Sequence, residues 1–297
     1  MKKRIFALVM MAVLAMSAVA CGSKETSNTA DTNGTVTEAT TVLEAAAETS
    51  ATAAEDDFEY VKNKGKLVIG ITIYEPMNYR DENNKLVGFD TEYAEAVCKK
   101  LGVEAEFVEI NWDTKVIELE SKNIDCIWNG MTITDELKQS IDFSNPYIKN
   151  MQVVIVKKNN AEKYKDTASL KSGVVSAEAG SAGEGAIKDD ANLSQATYIA
   201  VGKQTDALME VKAGTSDAAV LDYVLAAAMV GEGTDYSDLC MVDGVELSVE
   251  EYGIGFRKGS TLTEKVNAAT DELIKDGTLA ALAEKYGLSL QLIANQN

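Results

Sequence analysis

Residues 66–73 read KLVIGITI, apolar at nearly every position, which predicts a strand covered on both faces. A loop at residues 74–79 and a hairpin turn at residues 81–85 follow. Gly88-Phe89-Asp90 then opens a helix capped by Asp90, with Tyr93, Ala94, Val97, Cys98 and Leu101 on one face and Gly102 at its end. Residues 104–110 alternate as a strand. Residues 112–121 have the period of a short helix, its Val116, Ile117 and Leu119 turned to the sheet. Residues 124–128 give a third strand ending at Asn129-Gly130, with Thr132 and Thr134 as N-caps for an acidic turn at Asp135-Glu136. Strands alternating with helices in this way predict a parallel sheet with helices on both sides.

A second α/β unit starts at residues 151–156. Its strands fall at residues 174–177, 197–201 and 218–221, its helices after the Gly180-Ser181-Ala182-Gly183 loop, at residues 204–212 and at residues 223–230. A strand at residues 252–257 and helices at residues 262–275 and 279–286 complete the pattern, the last two parted by Asp276-Gly277. One internal echo links the halves. ELESKNIDCIWNGMT at residues 118–132 and EVKAGTSDAAVLDYV at residues 210–224 each run from helix end through a turn and an Asp into an apolar strand with a polar end. Two similar lobes would put Asn129-Gly130 and Asp222 at equivalent strand ends across a cleft.

The N-terminal residues follow a different pattern. Lys2, Lys3 and Arg4 precede an apolar run at residues 5–15 that is too short for an ordinary membrane span, and small residues lead to Ala20-Cys21. Residues 1–20 read as an export signal and Cys21, followed by Gly22-Ser23, as the site of lipid attachment; the alternative is a secreted protein with a spare thiol. Residues 21–57, rich in Thr, Ala, Ser and Glu, read as a disordered tether. That arrangement holds the folded part outside the membrane, on its outer face, without crossing it.

Charge and composition narrow the chemistry. Removing residues 1–20, with three basic and no acidic groups, takes the formal charge from -19 to -22, and such a surface repels phosphate backbones, so nucleic acid is not an expected partner. There is no His in the 297 residues, which excludes Ser-His-Asp and Cys-His relays and His-containing zinc sites. Cys98, Cys126 and Cys240 lack a Cys-x-x-Cys spacing and read as buried free thiols, one disulfide among them being the alternative. No metal or cofactor is expected.

Residues 123–142 form a strand end feeding a helix start, and in an open α/β sheet ligands gather there. Gly130 allows close approach to the backbone, Asn129 and Thr132 offer neutral hydrogen-bonding groups, and Trp128 or Trp112 an apolar wall. Beside this stand Gly88-Phe89-Asp90, Asn123-Ile124-Asp125, Gly130-Met131-Thr132-Ile133-Thr134, Ile141-Asp142-Phe143-Ser144 with Pro146-Tyr147, and Tyr252-Gly253-Ile254 before Lys258-Gly259-Ser260. Together these motifs, over residues 60–288, resemble the extracellular solute-binding proteins of polar amino-acid ABC importers.

The resemblance implies a two-lobed type II periplasmic-binding fold of the α/β class, each lobe a mixed, mostly parallel sheet flanked by helices. Lobe 1 would comprise residues 58–149 and 251–297 and lobe 2 residues 150–250, joined by hinge strands near residues 147–151 and 249–253. It implies that Tyr74 and Trp112 cover the ligand from opposite sides and that Asn129, Gly130, Met131 and Thr132 hold it from lobe 1. From lobe 2, Ser181 with the amides of Ala182 and Gly183 would take the α-carboxylate, Asp222 the α-ammonium and Glu178 the side chain. It further implies a monomer that delivers its solute to a membrane permease. Each residue also has a plainer reading: Trp112 as core, Tyr74 as a loop aromatic, Asp222 and Ser181 as helix caps, Glu178 as a solvated acid.

One position departs from the family pattern. The Arg that follows Thr-Asp-Glu and clamps the ligand carboxylate is Leu137 here, and a forked cationic donor is not replaced by Leu. Either Ser181, Thr132 and helix amides hold the carboxylate unaided, or the ligand carries less negative charge there; Arg80 is a substitute donor that its spacing does not require. The rival readings are an enzyme on this scaffold, a dehydratase of cyclic carboxylates using Glu178 or Asp222 as acid or base, and a ligand-sensing domain. A phosphate cradle at residues 180–185 lacks the Gly-Lys-Ser/Thr ending.

Overall fold

The computed structural model describes residues 56–296. The export signal, Cys21 and nearly all of the tether lie outside the described residues. Helix α1 (Asp57–Lys64) starts within the expected tether, capped by the Asp56 carboxylate, which accepts from the amides of Phe58 and Glu59. Strand β1 (Lys66–Ile71) follows, then a hairpin of β2 (Tyr79–Arg80) and β3 (Leu86–Val87) around the expected turn. Helix α2 (Phe89–Leu101) leads into β4 (Glu104–Glu109), and α3 (Lys115–Glu120) into β5 (Cys126–Thr132). A short α4 (Leu137–Ser140), β6 (Ile141–Phe143) and β7 (Ile148–Lys157) close the first half.

The second half has β8 (Val174–Glu178), α5 (Ala182–Asp189), β9 (Thr197–Val201), α6 (Gln204–Ala213), β10 (Ala218–Asp222) and α7 (Tyr223–Met229). The chain then returns through β11 (Leu239–Arg257) to α8 (Leu262–Lys275) and α9 (Thr278–Lys285).

Among the described residues the strands form one large sheet in the order β4-β1-β5-β11-β7-β10-β8-β9, with β6 also on β11. Its two ends are parallel, β4-β1-β5 and β10-β8-β9, because each crossover runs through a helix. Its middle is antiparallel: β7 and β11 pair with each other and connect the halves. The expected hinge segments are thus partners in one ladder, Val249 opposite Met151 and Tyr252 opposite Ile148.

Both faces are covered, as continuous apolar strands require. Along β7, Val153 and Ile155 join the core under α6, while Val154 and Val156 join a second core with Val175, Ala177 and Ile187. In the first half, Phe89, Tyr93, Trp128 and Tyr147 form an aromatic cluster, Tyr93 meeting Trp128 edge to face at 4.8 Å between centroids. Three local expectations change. Ile117 is exposed, so only one side of α3 faces the sheet. Gly88, not Asp90, is the cap of α2, and Asp90 is buried in its first turn. The strand expected to stop at Trp128 runs on through Asn129-Gly130 to Thr132, with Gly130 at φ +54°.

The echo between the halves is written in hydrogen bonds. Asp125 accepts from the Val68 amide at 2.7 Å through Oδ2 while its own N–H donates to Val68 O; Asp217 does the same with Val174, at 2.9 Å. Each acid fastens a strand start to its parallel neighbour. Cys98, Cys126 and Cys240 are all free; the first two are buried and Cys240 is half-buried. Burial pushes the Cys98 thiol up to about 12.

Candidate functional site

One cavity of about 1070 Å³ lies between the halves. It gathers ten of the eleven site residues that the resemblance implies, Tyr74, Trp112, Asn129, Gly130, Met131, Thr132, Glu178, Ser181, Ala182 and Asp222, whereas Trp128, the alternative apolar wall, is fully buried and does not line it. Gly183 does not line it. A Cβ at Gly183 would stand 2.8 Å from Val220 O, so this glycine lets α5 seat against β10.

Lining a cavity is not the same as offering it a free group. Asn129 is buried with its side chain fully engaged: Oδ1 accepts from the Thr72 amide and hydroxyl, and Nδ2 donates to Thr72 O and Asn78 Oδ1. The Gly130 amide donates to Asp90 Oδ2 at 2.7 Å. Burial pushes the Asp90 carboxyl up to about 7 against that bond and one from the Tyr147 hydroxyl. The space beside Gly130 Cα belongs to aromatic rings: a Cβ there would meet Tyr74 at 2.7 Å and Tyr252 at 3.0 Å. These two tyrosines share a hydroxyl contact of 2.5 Å, and burial raises both phenols well above their ordinary value. Met131 turns its side chain to Gly255, where a Cβ would sit 2.4 Å from Met131 Cε.

The centre of the cavity is a polar lattice that the sequence reading did not contain. Asp222 ends β10 with its carboxylate accepting from Asn150 Nδ2 at 2.5 Å, Gln152 Nε2 at 2.8 Å and Gln204 Nε2. It caps no backbone amide of α7. Glu250, from β11, accepts through Oε1 from the same two β7 amides, Asn150 at 2.6 Å and Gln152 at 2.8 Å, and from the Thr132 hydroxyl at 2.8 Å. Two amides are therefore clamped between two carboxylates. Burial, then the charge of Asp222, pushes Glu250 up to about 8; burial also raises Asp222.

Glu178, at the end of β8, is the third acid, 3% exposed, and burial followed by the Asp222 charge pushes it up to about 8. The opposing cation is Lys115. Its ammonium donates to Trp112 O at 3.2 Å and across the cavity to Gly180 O at 2.7 Å, and lies 4.9 Å from the Trp112 ring centre. Burial lowers its pKa while Glu178 works to raise it.

Glu250 was missed although the alternation around it was legible. Residues 245–250 read Val-Glu-Leu-Ser-Val-Glu, the period of a strand. Here Glu250 turns inward and Val249 lies 77% exposed, while Glu246 stays exposed and Val245 and Leu247 pack against the second core. Register shifts near Met241, Glu246 and Ser248 separate this face from the one that a uniform strand would bury.

The expected carboxylate seat is altered as well. Ser181 caps α5, accepting from the Glu184 amide, and Glu184 Oε2 accepts from the Gly180 amide at 2.7 Å, so the helix start already holds an acid. Leu137 lines the cavity. Arg80 does not; it pairs with Glu109 at 3.2 Å, half-exposed.

Two α/β halves joined by a pair of antiparallel strands, with a charged cavity between them, define a solute-binding protein of the type II periplasmic-binding fold. Residues 67–289 match the bacterial extracellular solute-binding proteins, family 3, and the chain belongs to that family. The L-cystine-binding protein TcyJ of Escherichia coli strain K12 is 34% identical over 228 residues, covering 76% of this chain and 84% of that one. The structure of an ancestral arginine-binding protein bound to arginine is similar at 38% identity and TM-score 0.70, over 75% of this chain and 98% of that chain. That of the ancestral amino acid-binding protein AncCDT-1, a precursor of cyclohexadienyl dehydratase, gives 34% identity and TM-score 0.70, over 77% and 98%. Among the described residues no helix is long and apolar enough to cross a membrane.

Proposed function

We propose that this protein captures an amino acid or a close chemical relative between two lobes, closes on it, and presents it to the permease of an ABC importer. The lobes are residues 58–149 with 251–297, and residues 150–250; they bend at residues 147–151 and 249–253. Capture without turnover accords with relatives named as binding proteins. The chain is exported by residues 1–20, held at the outer face of the membrane by lipid on Cys21, and works as a monomer on a tether.

The observation that carries this reading is the position of Asp222. It is 5% exposed, at a strand end, walled by Tyr74 and Trp112, and held by three side-chain amides that fix its oxygens without neutralising them. An ammonium group entering the cavity meets an acid already oriented. Tyr74 and Trp112 cover its stem, and the amide of Ala182, at the start of α5, is a neutral donor for a carboxylate.

A ligand that binds the folded chain alone raises its melting temperature by mass action. A thermal-shift screen of ligand-stripped protein against amino acids and small amines should yield a stabilising compound, and the absence of any shift in folded protein rejects the reading. With the best compound, Asp222→Asn is expected to weaken binding by about 1–3 kcal/mol in calorimetry. Unchanged affinity would remove Asp222 from the site.

A further inference from the structure

We infer that the cavity is built for a solute carrying two cationic centres. This rests on the capture reading and narrows it. Glu178, Asp222 and Glu250 come from three strands, are each at least nine-tenths buried, and line one cavity. Glu178 Oε1 and Glu250 Oε2 are buried and have no hydrogen-bond partner. A buried carboxylate oxygen without a donor is costly, and it is satisfied by a proton or by a cation that enters.

Charge count sets the number of centres. Lys115 is the buried cation lining the cavity, and Glu178 is the first charge acting on it. Ionised together around a bound solute, three acids against one lysine leave two charges for that solute to compensate. A zwitterion with a neutral side chain has no net charge to offer them. A diammonium or ammonium-guanidinium solute supplies one cation for the Asp222–Glu250 pair and one for Glu178.

The anion side of the cavity points the same way. The Thr132 hydroxyl donates to Glu250, Glu184 occupies the start of α5, and Lys188 pairs with Glu184 at 2.8 Å. No arginine lines the cavity among the described residues. The solute's positive charge therefore meets charged partners, and a carboxylate meets neutral amides.

Two sources share this chemistry, basic amino acids and diamines, and isosteric sets separate them. Ligand-stripped protein at pH 8 would be titrated calorimetrically with L-lysine, 1,5-diaminopentane and L-norleucine, and with L-arginine, agmatine and L-citrulline. In the set that fits, the dication is expected to bind at least 100-fold tighter than the neutral isostere. Retained affinity without the carboxylate assigns the source to diamines, and its loss to basic amino acids; either supports the inference. A neutral amino acid binding as tightly as the best dication overturns it while leaving amino-acid capture intact, whereas binding by none of the amino acids or amines defeats the capture reading itself.

Glu178→Gln and Glu250→Gln give a second readout. Each should weaken the dication at least tenfold and the neutral isostere less than threefold, with circular dichroism preserved and the ligand-free melting temperature at pH 8 unchanged or raised. Equal weakening of both ligands, or of neither, would also overturn the inference.

Discussion

Ligand-free protein is expected to be most stable near pH 5 and to lose on the order of 4 kcal/mol of unfolding free energy by pH 8 to 9. Glu178 and Glu250 are pushed up to about 8 by burial and by Asp222, and Asp90 up to about 7 by burial, while unfolded carboxyls ionise near 4. Between those values the folded chain holds protons that the unfolded chain has released. Stability therefore falls as pH rises, being fully present below the unfolded pKa and lost through the folded one. A shift of one unit corresponds to about 1.4 kcal/mol, but Glu178 and Glu250 feel the same Asp222, so their contributions do not add. Below pH 4 the sign reverses, because hydrogen bonds and Lys258 hold Asp142, and hydrogen bonds hold Asp56 and Asp166, below the ordinary carboxylate range. Urea midpoints from pH 4 to 9 test this. A flat curve between pH 5 and 8 would mean that the three acids are hydrated. A bound cation should flatten the fall, so the melting shift it produces should be larger at pH 8 than at pH 6.

The second large effect is expected at Asp125, whose replacement by Ala should cost about 3–5 kcal/mol, the range for removing one partner from a buried charged network. Asp125 is fully buried. Its Oδ2 holds the Val68 amide and the Lys64 ammonium, the latter at 2.5 Å, and its Oδ1 lies 3.6 Å from Arg257 Nη2. Arg257 in turn pairs with Asp57 at 2.9 Å and donates to Leu119 O and Ile124 O. The substitution leaves the Lys64 ammonium and a strand amide without their acceptor and takes a second carboxylate from Arg257. Asp217→Ala removes the corresponding bond to Val174 in the other half, at a position partly open to water, and should cost about 1–2 kcal/mol. Chemical denaturation of both variants measures the difference, and equal losses would show that burial is not what sets it.

The sequence displays some of these features and conceals others. Elements of one period were plain: the strand at residues 197–201 and the helix at residues 262–275 form over those residues. So was the gathering of Tyr74, Trp112, Thr132, Glu178 and Asp222 round one cavity, because strand ends of equivalent βα units face a shared crevice. What could not be read were partners far apart in the chain. Asp90 looks like a cap for its own helix and instead serves Gly130, 40 residues on. Asn129 looks like a ligand donor and is saturated by Thr72 and Asn78. Glu250 sits in alternating sequence whose inward face is decided by irregular register with β7, a tertiary property.

The long strands β7 and β11 have a mechanical consequence. Their mutual hydrogen bonds run unbroken through the bend, from Val249 opposite Met151 to Tyr252 opposite Ile148. If the lobes close as proposed, opening and shutting is a change in ribbon twist, with no bonds made or lost at the joint, much as a leaf spring flexes. Such a joint returns the carboxylate-bearing half to one registration every cycle, and its amides should resist deuterium exchange equally whether the cargo is aboard or gone.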